Sequence, residues 1–214
     1  MQHTSLFATP FITDRLASEE GLRLLREAVT ARHAADPGGV QISNVGGWHS
    51  DTNMIEWGGE AARALAYKAM QMADRFTRDV RSPAASRFDW VPEMWANLSG
   101  PGHSNQYHFH PGSFWSAVAY IDDGYDGSQD SSLGGELQLQ DPRMPMIAMT
   151  APDLCIVGPE GAIRPYEPLI RPSSGTIVMF PSWLQHAVRP YRGSGTRISI
   201  AINLIAALKP PASR

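Results

Sequence analysis

After Pro83 the chain breaks into short apolar runs, each closed by Gly, Pro, Asp or Ser, and this texture constrains the fold more than any other feature. Runs of that length between turn-forming residues read as strands. The pattern predicts strands at Trp90–Leu98, Phe114–Ile121, Glu136–Gln140, Leu154–Val157, Ile163–Leu169, Thr176–Phe180, His186–Arg189 and Arg197–Leu204. Eight short strands with no helical pattern among them imply a β-sandwich or jelly roll.

The segment before Pro83 is different. From Ser18 to Ala35 the residues Leu22, Leu25 and Val29 fall on one helical face, and Asp36-Pro37-Gly38-Gly39 ends the pattern. From Glu60 to Val80 a second stripe runs through Leu65, Ala69, Met72 and Phe76. Between them lies a Gly-rich loop in which Asn44, Trp48 and Ser50 are candidates to close over a site. The expected organisation is a helical support segment at 1–87, packed on one sheet, and a β core at 88–208, together one compact domain. Lys209 to Arg214 reads as a frayed tail.

Composition narrows the function classes. Hydrophobic residues make up 43% and charged residues 18%, so a real core can form. Net charge is −3 and the basic residues are scattered, which argues against nucleic acid as a partner. The single cysteine, Cys155, cannot form an internal disulfide and reads as a core residue. The opening residues lack a basic start and a long apolar run, so no signal peptide is expected. No apolar stretch approaches the ~20 residues that span a bilayer. A cytoplasmic protein without a membrane partner is the expectation, with room for a homodimer. A serine hydrolase is disfavoured by the lack of a Gly-x-Ser-x-Gly elbow.

The chemistry concentrates in histidines. His108 and His110 flank one residue in Tyr107-His-Phe-His-Pro111, and in an extended segment such neighbours point to the same face. His186 follows Pro181-Ser-Trp-Leu-Gln185 at the start of a strand, where a β fold can bring it opposite the pair. Imidazole suits iron, zinc, copper and nickel alike. The alternative for each is a structural histidine. That reading is preferred for His3, His33, His49 and His103, of which only His49 is a candidate to face a pocket.

With those residues in place, the stretch from about 88 to 204 resembles the 2-oxoglutarate and Fe(II)-dependent oxygenase superfamily, in its uncharacterised bacterial branch. The resemblance rests on His108-Phe-His110 before the apolar strand Trp115–Ile121, and on Gly134-Gly135-Glu136-Leu137. It rests also on Pro172-Ser-Ser-Gly175 leading into Thr176–Phe180, and on His186 followed by Arg197-Ile-Ser199. It implies a double-stranded β-helix, a jelly roll of the cupin-like kind. It implies Fe(II) held by His108, His110 and His186, with no catalytic residue beyond these ligands. The co-substrate implied is 2-oxoglutarate, its far carboxylate gripped by Arg197 and Ser199, with Asn97, Tyr107 and Tyr120 lining its pocket. An Arg fork matches a carboxylate in two parallel hydrogen bonds, and a hydroxyl two residues on shares its strand face. The activity implied is hydroxylation of a small molecule or a side chain, coupled to decarboxylation of 2-oxoglutarate. The prime substrate is not readable.

The family's usual set is two histidines and one carboxylate, and His110 stands where the carboxylate belongs. Either three histidines bind the metal or an acid such as Asp122, Asp123, Glu136 or Asp141 takes part. Two rival readings share the fold. A cupin dioxygenase matches Gly102 and the His108/His110 pair, but Phe114 and Trp115 stand where its glutamate is expected. A non-catalytic metal-binding jelly roll would bind a ligand and consume no 2-oxoglutarate.

Overall fold

The first long helix forms because both of its ends are chemically satisfied. Ser18 caps α1 (Glu19–Ala35) by accepting from the Gly21 amide at 3.0 Å. Glu19 and Glu20 lie in its first turn and Arg32 and His33 in its last, each matching the local sign of the helix dipole. The computed structural model describes residues 2–16, 18–143, 154, 156–163 and 166–210. The remaining elements, in chain order, begin with β1 (Ile12–Arg15) ahead of α1, then β2 (Asn44–Val45), β3 (Trp48–His49), α2 (Met54–Trp57) and α3 (Gly59–Phe76). The β core follows with β4 (Phe88–Ser99), β5 (Ser104–His108), β6 (Trp115–Asp122), β7 (Leu137–Leu139) and β8 (Leu169–Ile170). It closes with β9 (Thr176–Pro181), β10 (His186–Val188) and β11 (Arg197–Leu208).

Two antiparallel sheets face each other as a double-stranded β-helix. One has the order β1-β9-β6-β11-β4-β3 and the other β2-β5-β10-β7-β8. The strands of the larger sheet alternate, so each supplies two different surfaces. On β11 the residues Ile198, Ile200, Ile202 and Leu204 join the core under the helices, with Met94 and Ala96 of β4. Leu22, Leu25 and Val29 of α1 and Leu65, Ala69 and Met72 of α3 pack onto that same face. Ala62, Ala66, Ala69 and Ala73 keep α3 slim there, letting the helix approach the sheet closely. The other face of the sheet is left to line the space between the sheets.

Several expectations change in detail. The first 87 residues are more than a helical brace, because β1, β2 and β3 are built into the two sheets. The second helix ends at Phe76, which is half exposed rather than part of the buried stripe. Leu154, Ile156 and Val157 form no strand beyond one bridge from Val157 to Ile163. Leu154 and Ile156 are solvent-exposed, with no sheet neighbour to bury them. The expectation for Cys155 lies outside the described residues. Lys209 is tied down, its amide to the Arg87 carbonyl and its ammonium to Asp89.

Candidate active site

Strand pairing brings two of the histidines together. His186 opens β10 directly opposite His108, the last residue of β5, and their ring centres are 4.3 Å apart. His110 arrives differently from the expected extended pair. The strand ends at His108, and His110 sits in the turn beyond it. Its amide donates to the Ser182 carbonyl at 3.0 Å, and its own carbonyl accepts from the Ser113 amide. The turn swings the His110 ring to 5.1 Å from His108 and 5.2 Å from His186. One ring nitrogen of each residue lies within 4.8 Å of those of the other two.

Hydrogen bonds fix which nitrogens face inward. Nδ1 of His108 lies 2.7 Å from the Gln106 carbonyl, and Nδ1 of His186 lies 2.8 Å from that of Leu184. A carbonyl only accepts, so both Nδ1 atoms carry the proton and both Nε2 atoms present a lone pair. Burial keeps the rings neutral. Desolvation pushes His186 down to about 3 and His110 down to about 4, and it lowers His108 as well. The His110 and His186 Nε2 atoms stand 3.3 Å apart. Two nitrogens each ~2.1 Å from one ion and at right angles would be about 3 Å apart. Three neutral imidazoles aimed at one point are a donor set that fits a divalent iron. Among the described residues this group contains no acid. The four acids considered from sequence are engaged elsewhere or stand away from the cavity. Asp122 pairs with Arg26, Asp141 with Arg143, Asp123 accepts the Ser174 amide, and Glu136 faces Arg189.

The histidines border a cavity of about 290 Å³ between the sheets. Its far wall is the inward face of β4, β11 and β6, and the register sorts it into rows. Asn97, Ser199 and Tyr120 form one row across the three strands. Trp95, Ala201 and Val118 form the next, and Glu93, Asn203 and Ser116 the one after. Arg197 lies one step the other way, opposite Ser99. It is 4% exposed, its Nε has no hydrogen-bond partner, and it makes no ion pair among the described residues. The Tyr120 ring centre is 5.8 Å from its guanidinium carbon, and Tyr125 and Tyr191 flank its Nε at Gly135. Gly134 and Gly135, both at positive φ, let the chain pass tightly beside this end. A Cβ on Gly134 would meet the Pro190 carbonyl oxygen at 2.1 Å, and one on Gly135 would crowd the Tyr125 hydroxyl at 3.2 Å and the Tyr191 ring at 3.3 Å, beside Arg197.

The sequence-derived set is thus mostly gathered: Asn97, Tyr120, Arg197 and Ser199 line the same cavity as the three histidines. Tyr107 does not. It neighbours His108 on β5, so strand alternation turns it outward, where its hydroxyl donates to Glu167 at 2.9 Å. The loop residues also have other tasks. Trp48 donates its indole N–H to the Asp36 carbonyl, and Ser50 hydrogen-bonds to the Ala96 amide. His49, preferred as structural, lies on the cavity wall, stacked on Trp95 with ring centres 5.5 Å apart. Trp95, Glu93 and Asn203 were legible by stepping two residues along β4 and β11 from Asn97 and Ser199. His49, a candidate from sequence to face a pocket, does so because β3 pairs with β4 over a long sequence gap.

Comparison with known proteins agrees with this geometry. The family described as "Putative 2OG-Fe(II) oxygenase" matches residues 93–203, more than half of the chain. No curated protein sequence matches it. Among solved structures, a prolyl-4-hydroxylase from Pseudomonas putida is similar over 92% of both chains, with TM-score 0.61 and 16% identity. A Trichoplax adhaerens prolyl hydroxylase, in complex with a hypoxia inducible factor peptide fragment, is similar over 91% of this chain and 83% of its own, with TM-score 0.62 and 14% identity. HygX from Streptomyces hygroscopicus, with nickel and 2-oxoglutarate bound, is similar over 92% of this chain and 82% of its own, with TM-score 0.58 and 12% identity. These similarities establish the double-stranded β-helix fold, and the family match sets aside the cupin and the non-catalytic jelly roll. The chain belongs to the 2OG-Fe(II) oxygenase family and is an oxidoreductase that uses Fe(II) and 2-oxoglutarate.

Proposed function

We propose that His108, His110 and His186 hold the iron of this dioxygenase, and that Arg197 binds the far carboxylate of 2-oxoglutarate with Ser199, Asn97 and Tyr120 beside it. The observation that carries this reading is the buried Arg197 guanidinium on the wall of the histidine cavity, which has no acid partner among the described residues. A buried cation without a partner is costly, and a dicarboxylate co-substrate supplies the missing charge. When bound, the iron couples oxidative decarboxylation of 2-oxoglutarate to hydroxylation of a C–H bond in the prime substrate.

The chain's own groups bind, orient and exclude water. The Arg197 fork grips the carboxylate in two hydrogen bonds, and the Ser199 hydroxyl on the same strand face adds a third. Burial raises Tyr120 to about 12, so its phenol stays protonated and neutral beside that anion. Leu137, Val118 and Val188 give the cavity dry walls. The protonated Nδ1 atoms of His108 and His186 lock their rings, leaving the inward nitrogens preorganised for metal.

The segment 1–87 supports the catalytic core at 88–208, both through its helices and through the strands it adds to the two sheets. The enzyme works in the cytoplasm on a small molecule or side chain, without nucleic acid or a membrane and with room for a homodimer. A net charge of −3, a single cysteine and the lack of a described helix able to cross a membrane support that setting.

The test is anaerobic: load Fe(II), titrate 2-oxoglutarate and record the visible charge-transfer band. The wild-type protein is expected to develop the band, and His186→Ala is expected to lose it together with tight iron binding. An iron-loaded protein without a band, or a His186→Ala variant with an unaltered one, would overturn the assignment.

A further inference from the structure

The cavity has two charged ends, and only one of them is used by the assignment above. Arg197 is its sole Arg or Lys and Glu93 its sole acid. Arg197 pairs with Ser99, six residues along β4 from Glu93, which puts the two ends roughly 20 Å apart at ~3.4 Å per residue. The histidines stand between them: His110 packs against Trp95 at 5.6 Å between ring centres, and Trp95 is the residue between Glu93 and Asn97 on the cavity face. A co-substrate reaching from the histidines to Arg197 fills one end. The other end is left for the molecule to be oxidised.

That second end has a definite chemistry. The Glu93 carboxylate makes no hydrogen bond or ion pair with any described residue. Asn203 lies directly across the strand pair from it. The Asn203 Oδ1 accepts from the Ser116 hydroxyl at 3.1 Å, so the amide is oriented and its Nδ2 is the group left to donate. The row therefore offers a carboxylate acceptor beside a neutral amide donor. We propose that the prime substrate carries a cationic amine that pairs with Glu93 and a neutral oxygen acceptor that receives the Asn203 N–H. An anionic substrate would meet the uncompensated Glu93 carboxylate and be repelled. This inference rests on the co-substrate occupying the Arg197 end.

A matched series of five-carbon probes tests it by calorimetry on the anaerobic protein loaded with Fe(II) and 2-oxoglutarate. The probes are 5-aminopentan-1-ol, pentane-1,5-diol and 5-hydroxypentanoate. The amine is expected to bind at least about tenfold more tightly than the diol, as a charge-assisted hydrogen bond implies. The hydroxy acid is expected to bind weakest. Glu93→Gln keeps the shape and removes the charge, so the preference for amine over diol should vanish. Its folding is checked by an unchanged melting midpoint, as the Glu93 side chain is exposed and unpartnered. Equal or absent binding of amine and diol, or an amine preference that survives in a folded Glu93→Gln, overturns the proposal. The outcomes separate from the earlier reading. A normal charge-transfer band without amine preference sinks this inference alone, whereas a missing band removes the co-substrate assignment and this inference with it.

Discussion

Replacing Arg197 by methionine should move stability and co-substrate affinity in opposite directions. The side chain is 4% exposed, its Nε has no partner, and no acid pairs with it among the described residues. In the protein without 2-oxoglutarate this is a buried charge whose neighbours are neutral phenols, with the Tyr120 ring at 5.8 Å and Tyr125 and Tyr191 beside Gly135. The Tyr120 contact is worth about 1 kcal/mol. An apolar side chain of similar length removes the desolvation cost and keeps the packing. The ligand-free variant should therefore hold its stability or gain up to about 2 kcal/mol, roughly 4–8 °C in Tm for a chain of this size. Binding should suffer. A carboxylate brought into this pocket without its fork loses about 3 kcal/mol, on the order of a hundredfold in Kd. Thermal melting of the ligand-free protein and anaerobic titration with 2-oxoglutarate read the two effects separately. A Tm that falls by several degrees while 2-oxoglutarate affinity stays the same would refute the reasoning and make Arg197 a structural residue.

Two further outcomes follow from the same site. In the metal-free protein, burial holds His186 near 3 and His110 near 4, below the ordinary 6.5. The unfolded chain then takes up protons first on acidification, so stability is full above about pH 6.5 and falls as pH drops toward 4. Urea unfolding at pH 7 and pH 5 should show a smaller loss in His186→Gln than in the wild type, and an equal loss would count against the effect. Gly134→Ala should destabilise by about 2 kcal/mol or more, because φ is +66° and the new Cβ would meet the Pro190 carbonyl at 2.1 Å. A chemical-denaturation midpoint unchanged from the wild type would show that the Gly134-Gly135 turn is not the reason this strand approaches so closely.

How much of this was legible in the sequence depends on the range of the physics involved. Turn-bounded apolar runs are local signals, so the β core could be read from Trp115–Ile121, Thr176–Phe180 and Arg197–Leu204 directly. His108 and His186 could be nominated because strand pairing restricts where such side chains point, whereas the extended spacing that nominated His110 gives way to a turn beyond β5. Other features depend on long-range pairing. His49 reaches the cavity only because the two-residue strand β3 adds to the edge of β4. Tyr107 was misread for a local reason: its neighbour His108 faces inward, and the same alternation turns Tyr107 outward to Glu167. The Leu154–Val157 run had strand composition, but its described residues Leu154, Ile156 and Val157 find no partner in either sheet, and composition cannot report a partner.

The position of His110 beyond the end of β5 explains how a histidine can stand where a carboxylate is usual. Within the strand, a ring at that position would be held to the direction of His108, and the longer imidazole would crowd the His186 side. The chain instead turns at Pro111-Gly112, with Gly112 at φ +86°, and pins the His110 amide to the Ser182 carbonyl. Ser182 is held in turn by its hydroxyl bond to the Ser113 carbonyl, so the loop before His186 and the loop after His110 brace each other. The place of the His110 ring is thus set by backbone geometry. A neutral ligand there leaves the metal centre one unit more positive than a carboxylate would.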